Sequence, residues 1–217
     1  MKKIVSIILV LAVSLSLCGC STSEQKAEEI FKNTDEAYNL TNTFSHDIYE
    51  AWYMGINEVS KITGKTSSYY SYSESYDYEK GYSYFCDQLE IEEQYISSAL
   101  NNLTDKAGAE GYEELLKNSN STFSSCVEIV TEAYKASGQT DDIQNNIDGA
   151  KELLIKISKN NPKYIHYSDL KGYLAETVAF YDFCCDPEGS FDQLVETSNA
   201  YRNNSRKYYN SLALFFE

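Results

Sequence analysis

The side chains able to do chemistry are plentiful in this chain but rarely spaced for it. There are two histidines, His46 and His166. Neither sits in the Glu-x-x-His spacing that sets a carboxylate and an imidazole on one helix face for a di-iron centre. The chain has no His-Glu-x-x-His zinc motif and no paired Cys-x-x-Cys. A glycine-rich phosphate loop and a Gly-x-Ser-x-Gly nucleophile elbow are absent too. Carboxylates come in pairs, as in Glu92-Glu93, Glu113-Glu114 and Asp141-Asp142. Such pairs do acid–base work when burial drives their pKa values apart. On an amphipathic helix they more simply form a solvated face, and His46-Asp47 reads the same way. The expectation is a protein that is not an enzyme and needs no metal or cofactor. The alternative is an envelope enzyme or metal-handling helical bundle using those clustered carboxylates.

Tyrosine is the unusual residue. Seven of the positions from 69 to 84 carry it: Tyr69, Tyr70, Tyr72, Tyr76, Tyr78, Tyr82 and Tyr84. Their spacing spreads them around a helix, so some must face solvent. A phenol offers large contact area, few torsions and a polar tip, which suits a binding surface. The plainer reading is A/T-rich codon usage, which also accounts for abundant Asn and for Lys far outnumbering Arg.

These side chains are carried by segments with a helical period. Phe31, Thr34, Tyr38, Thr41, Ser45, Ile48, Trp52, Gly55, Val59 and Ile62 recur three and four apart. Thr22-Ser23-Glu24-Gln25 is a capping box at the start of that stripe, and Gly64 a stop. A second arm carries Phe85, Leu89, Ile96, Leu100 and Leu103 and ends near Gly108. A third runs from Leu115 through Phe123, Cys126, Val130 and Ala133, pauses at Gly138 and resumes with Ile143, Ile147, Leu154 and Ile157. Asn160-Asn161-Pro162 closes it, because the residue before proline disfavours helix. The fourth carries Leu170, Leu174, Val178 and Tyr181, breaks at Asp186-Pro187-Glu188-Gly189 and restarts at Ser190-Phe191-Asp192-Gln193, a second capping box. The fold class expected is all-α: an elongated up-down bundle of four long arms, the third and fourth interrupted. Gly138 and Pro187 lie almost equally far from the Pro162 turn, so both breaks fall at one level. If instead each break is a hairpin, a shorter six-helix bundle results.

The first residues give a location. Met1-Lys2-Lys3 is followed by an apolar run from Ile4 to Leu17, too short to span a bilayer as a helix, and then by Leu17-Cys18-Gly19-Cys20. That tetrapeptide resembles the lipobox of bacterial lipoproteins, with Leu17 and Gly19 in place and Cys18 where Ala, Ser or Thr is usual. The resemblance implies a signal peptide over 1–19, lipidation of Cys20, and an extracytoplasmic domain over 20–217 anchored to the cell membrane. Two acyl chains on one cysteine hold stably where a single chain does not. A second resemblance covers only Phe180 to Phe191. It is similar to a piece of uncharacterised helical lipoproteins from low-GC Gram-positive bacteria, in which an Asn-Pro-x-Gly-Ser step separates two helices. Asp186 here replaces the Asn, and the resemblance implies a fold type and no activity.

The formal net charge is −15, and it becomes more negative without Lys2 and Lys3. Such a chain repels nucleic acid. Cys86, Cys126, Cys184 and Cys185 fall on or beside apolar stripes, where free thiols pack as small hydrophobes. The register would also allow a Cys86–Cys126 bridge if those arms touch.

In a four-arm bundle the first and third turns share the end away from the lipid. The candidate ligand-binding residues are therefore Tyr69, Tyr70, Tyr72, Tyr76, Tyr164, His166 and Tyr167, gathered in one aromatic tip. Their partner would be an envelope protein, peptide or glycan. The C-terminus returns toward the membrane, bringing Arg202, Arg206 and Lys207 with Leu212, Leu214, Phe215 and Phe216. Those cations could meet anionic headgroups. More simply, they are cations well placed late in a helix beside ordinary core. The function expected is a non-enzymatic binding or scaffolding module of the cell envelope.

Overall fold

The computed structural model describes residues 22–67 and 74–216. Residues 1–21, with Cys20 among them, lie outside the described residues, as do Tyr69, Tyr70 and Tyr72. The described chain is predominantly helical, with nine helices and one two-stranded ribbon.

Helix α1, Ser23–Asn57, is the axis of the fold. Its 35 residues reach about 52 Å. The capping box forms as the sequence requires. Gln25 N donates to Thr22 Oγ1 (3.2 Å) and Thr22 N donates to Gln25 Oε1 (3.0 Å). The buried stripe includes Ala27, Ile30, Phe31, Ala37, Phe44, Ile48, Ala51 and Trp52. Thr34 and Thr41 can sit inside it because their hydroxyls donate to Ile30 O and Ala37 O, each at 2.7 Å.

After α1 come the short α2 (Val59–Ile62) and the ribbon of β1 (Thr66–Ser67) and β2 (Glu74–Ser75), antiparallel with Thr66 opposite Ser75. Helices α3 (Tyr78–Asp87), α4 (Glu93–Thr104) and α5 (Gly108–Asn118) follow. This segment corrects the second arm. No long helix runs from Phe85 to Leu103, and Leu115 belongs to α5 rather than to the third arm. Local punctuation divides the segment. Asp105 takes a left-handed φ of 63° at the end of α4. Ser119 and Ser121 bond each other between α5 and α6. The α3–α4 link is drawn out of helix by Asp47, as described below. Helices α2–α5 thus form a cap on the C-terminal half of α1, with Phe85, Ile96, Leu100 and Tyr112 in a core shared with Phe44, Ile48 and Trp52.

The third arm is interrupted where expected. Helix α6 (Thr122–Ala136) lies on the C-terminal half of α1, with Trp52 stacked on Phe123 at 5.5 Å and Phe44 on Tyr134 at 4.3 Å. Gly55 allows this approach, since a Cβ there would stand 2.3 Å from the Cα of Phe123. The chain turns at Gly138, φ +79°. Helix α7 (Gln139–Asn160) then follows the N-terminal half of α1, where Ile143, Ile147, Leu154 and Ile157 pack with Ala27, Ile30 and Phe31.

The fourth arm is a hairpin rather than a kinked rod. Helices α8 (Tyr167–Cys185) and α9 (Phe191–Phe216) run antiparallel. Phe180 stacks on Tyr201 (5.6 Å), and Ser211 Oγ donates to Asp169 (2.8 Å). Proline followed by Gly189 at φ +105° permits a complete reversal. The Ser190–Gln193 capping box starts α9 as read, with bonds of 2.8 and 3.3 Å. The two breaks do lie at one level: Tyr181 OH donates to Thr140 O (3.3 Å), and a shared cavity wall holds Lys135 with Asp186 and Pro187.

Candidate functional site

Among the described residues of the expected aromatic tip, Tyr76 lies apart from Tyr164, His166 and Tyr167. Tyr76 stacks on Tyr78 at 5.9 Å in the cap. His166 lies at the other end of α1, with its ring 4.1 Å from Phe215, and Phe216 packs 5.6 Å from Phe31. Tyr164, 5.7 Å from His166, and Tyr167 belong to that same end. The physical reason is parity: with the second arm folded into a cap, the first and third turns end on opposite poles. Tyr82 is core, packed against Tyr112 at 5.6 Å. Tyr84 is tied to Glu58 and Lys61.

A polar concavity lies between α1 and α9. It encloses about 720 Å³ and is lined from α1 by Asp35, Tyr38, Asn39, Asn42 and His46, and from α9 by Asn199, Arg202, Asn203, Arg206 and Tyr209. An adjoining 250 Å³ hollow continues it past Ser45, Tyr49 and Ser198. Each wall is a helical stripe, because positions three, four and seven apart share a face. Small residues let the helices meet beneath it, where Ser45 and Ser198 hydroxyls stand 3.4 Å apart.

Arg202 is held in place within this groove. Its Nε donates to Asn42 Oδ1 (2.7 Å) and its terminal nitrogens to Asn199 Oδ1 (3.4 Å) and Ser45 Oγ (3.3 Å). Its guanidinium carbon lies 5.8 Å from the Phe180 ring centre. Asp35 accepts from Tyr173 OH (2.8 Å) and Asn39 Nδ2 (3.2 Å). Burial raises the Tyr38 phenol pKa, and the nearby Arg202 charge opposes that rise. Among the described residues no carboxylate within salt-bridge distance pairs Arg202 or Arg206. These are the only arginines in a chain of net charge −15. A fixed guanidinium beside asparagine amides is suited to anionic, hydrogen-bonding ligands.

Asp47 is not part of a polar face. It is fully buried and accepts from the backbone N–H groups of Glu90 (2.9 Å) and Ile91 (3.2 Å) and from Tyr134 OH (2.9 Å). Burial raises its pKa, and those three donors pull against the rise. The arrangement is a structural staple between α1, the α3–α4 link and α6. His46, half-exposed, stands 3.8 Å from Asp47, 3.9 Å from Glu50 and 4.0 Å from Glu90.

The paired carboxylates stay on the surface. Glu114 pairs with Lys106 at 2.6 Å and Glu113 with Lys117. Among the described residues no three His, Cys, Asp or Glu side chains converge as a metal site requires. Cys86, Cys126, Cys184 and Cys185 are free thiols. Burial pushes Cys86 and Cys126 up to about 12, away from thiolate chemistry.

The groove escaped sequence reasoning although its signal was present. Asp35, Asn39, Asn42 and His46 recur at helical spacing, and so do Asn199, Arg202, Asn203 and Arg206. Asparagine read as codon bias hid both stripes. Among the described residues no helix is long and apolar enough to cross a membrane. No protein-family model, curated protein or solved structure matches the chain.

Proposed function

We propose that this chain is a membrane-anchored extracytoplasmic lipoprotein whose helical domain is a non-enzymatic binding module, and that the α1–α9 groove is its binding face. The lipobox-like Leu17-Cys18-Gly19-Cys20 supports the anchor. The observation that carries the binding role is the placement of both arginines, without carboxylate partners among the described residues, in a groove walled by four asparagines. The ligand chemistry that fits is a small anion bearing hydroxyl or amide groups. Arg202 and Arg206 supply charge, while Asn39, Asn42, Asn199 and Asn203 supply paired donors and acceptors.

Calorimetric titration with glucuronate, and with glucose as its neutral counterpart, tests this reading. Glucuronate binds and glucose does not, and Arg206→Ala lowers the affinity by about tenfold or more, as loss of a charge-assisted bond should. Equal binding of the two sugars, or an Arg206→Ala variant that binds as well as the parent, removes the groove from the proposal.

A further inference from the structure

The end of the fold where α1 begins carries an exposed apolar surface that the binding role does not use. Ile165, in the α7–α8 turn, is 83% exposed. Leu214 is 83% and Phe215 61% exposed at the close of α9. These two elements, distant in sequence, are joined at one pole by the His166 ring against Phe215 (4.1 Å) and Phe216 (5.6 Å). Single exposed apolar residues need no explanation, but three at one pole do.

The chain that leads into this pole from α7 is locally cationic, while the start of α1 brings Glu24, Glu28 and Glu29 to the same pole. From 151 to 166 the chain has Lys151, Lys156, Lys159 and Lys163 against Glu152 alone, within a protein of net charge −15. Lys151 and Lys156 pair with Asp148 and Glu152. Lys159 and Lys163 are exposed and have no ion pair among the described residues. An apolar tip with Tyr164 and Tyr167 flanking Ile165, and Lys159 and Lys163 just before it in the chain, offers what each layer of a bilayer surface accepts: acyl region, aromatic belt, anionic headgroups.

The preceding chain leads to this pole. The described residues begin at Thr22, two positions after Cys20, and α1 starts at once at Ser23. A residue spans at most about 3.6 Å, so an acylated Cys20 would keep the start of α1 within about 10 Å of lipid.

We infer that Ile165, Leu214 and Phe215, with Lys159 and Lys163 on the chain leading into the α7–α8 turn, form a foot that enters the surface of an anionic bilayer and stands the domain on it. The inference rests on the lipid-anchor reading for its orientation. The foot leaves Arg202 and Arg206 clear of the headgroups. Arg202 lies 14 residues before Phe216 along α9, about 20 Å away from the base. The cations of the foot come instead from the α7–α8 turn.

The test uses the full chain expressed in bacteria. Its membranes are treated with a photoactivated aryl diazirine that partitions into the acyl region, and labelled positions and the mass of the Cys20 peptide are read by mass spectrometry. Ile56 and Phe123, exposed at the opposite end of α1, are internal controls. The expected result is an acylated Cys20 and labelling of Ile165, Leu214 and Phe215 about tenfold above those controls. An acylated Cys20 with no excess label at the foot overturns the inference and leaves the anchor standing. So does cross-linking that joins the feet of two copies.

If Cys20 carries no acyl group, the anchor reading fails and the foot is judged alone. The recovered chain is sedimented with equimolar phosphatidylglycerol and phosphatidylcholine vesicles. Binding that falls about tenfold in an Ile165→Ser, Leu214→Ser, Phe215→Ser variant of unchanged melting temperature keeps the foot. Equal sedimentation of parent and variant removes it.

Discussion

The two halves of α1 are buried by different means. Its N-terminal half, Ala27 to Ala37, lies among α7, α8 and α9, long helices whose apolar stripes were written in their periodicity. Its C-terminal half, Phe44 to Met54, lies under a cap of short helices held by particular polar contacts, Asp47 foremost. The stack is specified by repetition and the cap by single residues. A single substitution should therefore do far more in the cap than in the stack.

The largest contrast is chemical. Cys126, buried in the cap core and pushed up to about 12 from 9.0, should alkylate about a thousandfold more slowly than an ordinary thiol at pH 8. Cys185, exposed at the end of α8 although partial burial also raises its pKa, should react faster than Cys126. Timed iodoacetamide labelling with peptide mapping reads both, and equal rates would mean that the cap opens faster than expected.

Next is Asp47→Ala. It strands two backbone N–H groups and the Tyr134 hydroxyl, costing about 3 kcal/mol in urea unfolding. Hydrogen exchange at Glu90 and Ile91 should rise, while amides of α7 and α8 change less. The pH dependence has a definite sign. Because burial raises the native pKa of Asp47, the stability linked to its proton is complete below the ordinary value of 3.8 and is lost as pH climbs through the raised value. The gap between parent and variant should narrow from pH 3.5 upward, and a widening gap would show that the three donors outweigh burial.

Gly55→Ala should cost about 2 kcal/mol, since the new methyl meets the Phe123 backbone. Gly138→Ala should cost only about 1 kcal/mol, because φ is +79° but nothing stands within 4 Å of the new atom. Thermal melts rank the pair, and the reverse order would deny the close α1–α6 approach.

The same contrast decides what could be read from sequence. The α1 stripe as far as Gly55, both capping boxes, the Gly138 pause and the Asn161-Pro162 turn are legible because each is a local rule acting on neighbours; the stop is not, since α1 ends at Asn57 rather than at Gly64 and leaves Val59 exposed. The cap was not. Asp47 looks like surface in a sequence, and only the fold shows that it takes the amides of Glu90 and Ile91 out of any helix. The break at Asp186–Gly189 reads as a kink or as a hairpin, because proline and glycine serve both shapes. What separates them is the fit of α8 to α9, including Gly172, where a Cβ would lie 2.4 Å from the Tyr208 ring. Tyr76 is separated from Tyr164, His166 and Tyr167 for the same reason, since their meeting requires a second arm of full length. The groove was half-legible: its stripes have helical spacing, but nothing local says that the two face one another.

One consequence follows from the place of α1 at the axis. It precedes every other described helix in the chain, yet the surfaces that cover its N-terminal half come from residues 139–216. Until those are made, the stripe from Ala27 to Ala37 has only water or a helper protein against it. Pairing across such long separations in sequence is slow. The nascent chain is therefore at its most vulnerable to proteolysis and to self-association just before its last helix emerges, and truncations that remove α9 should aggregate rather than yield a smaller domain.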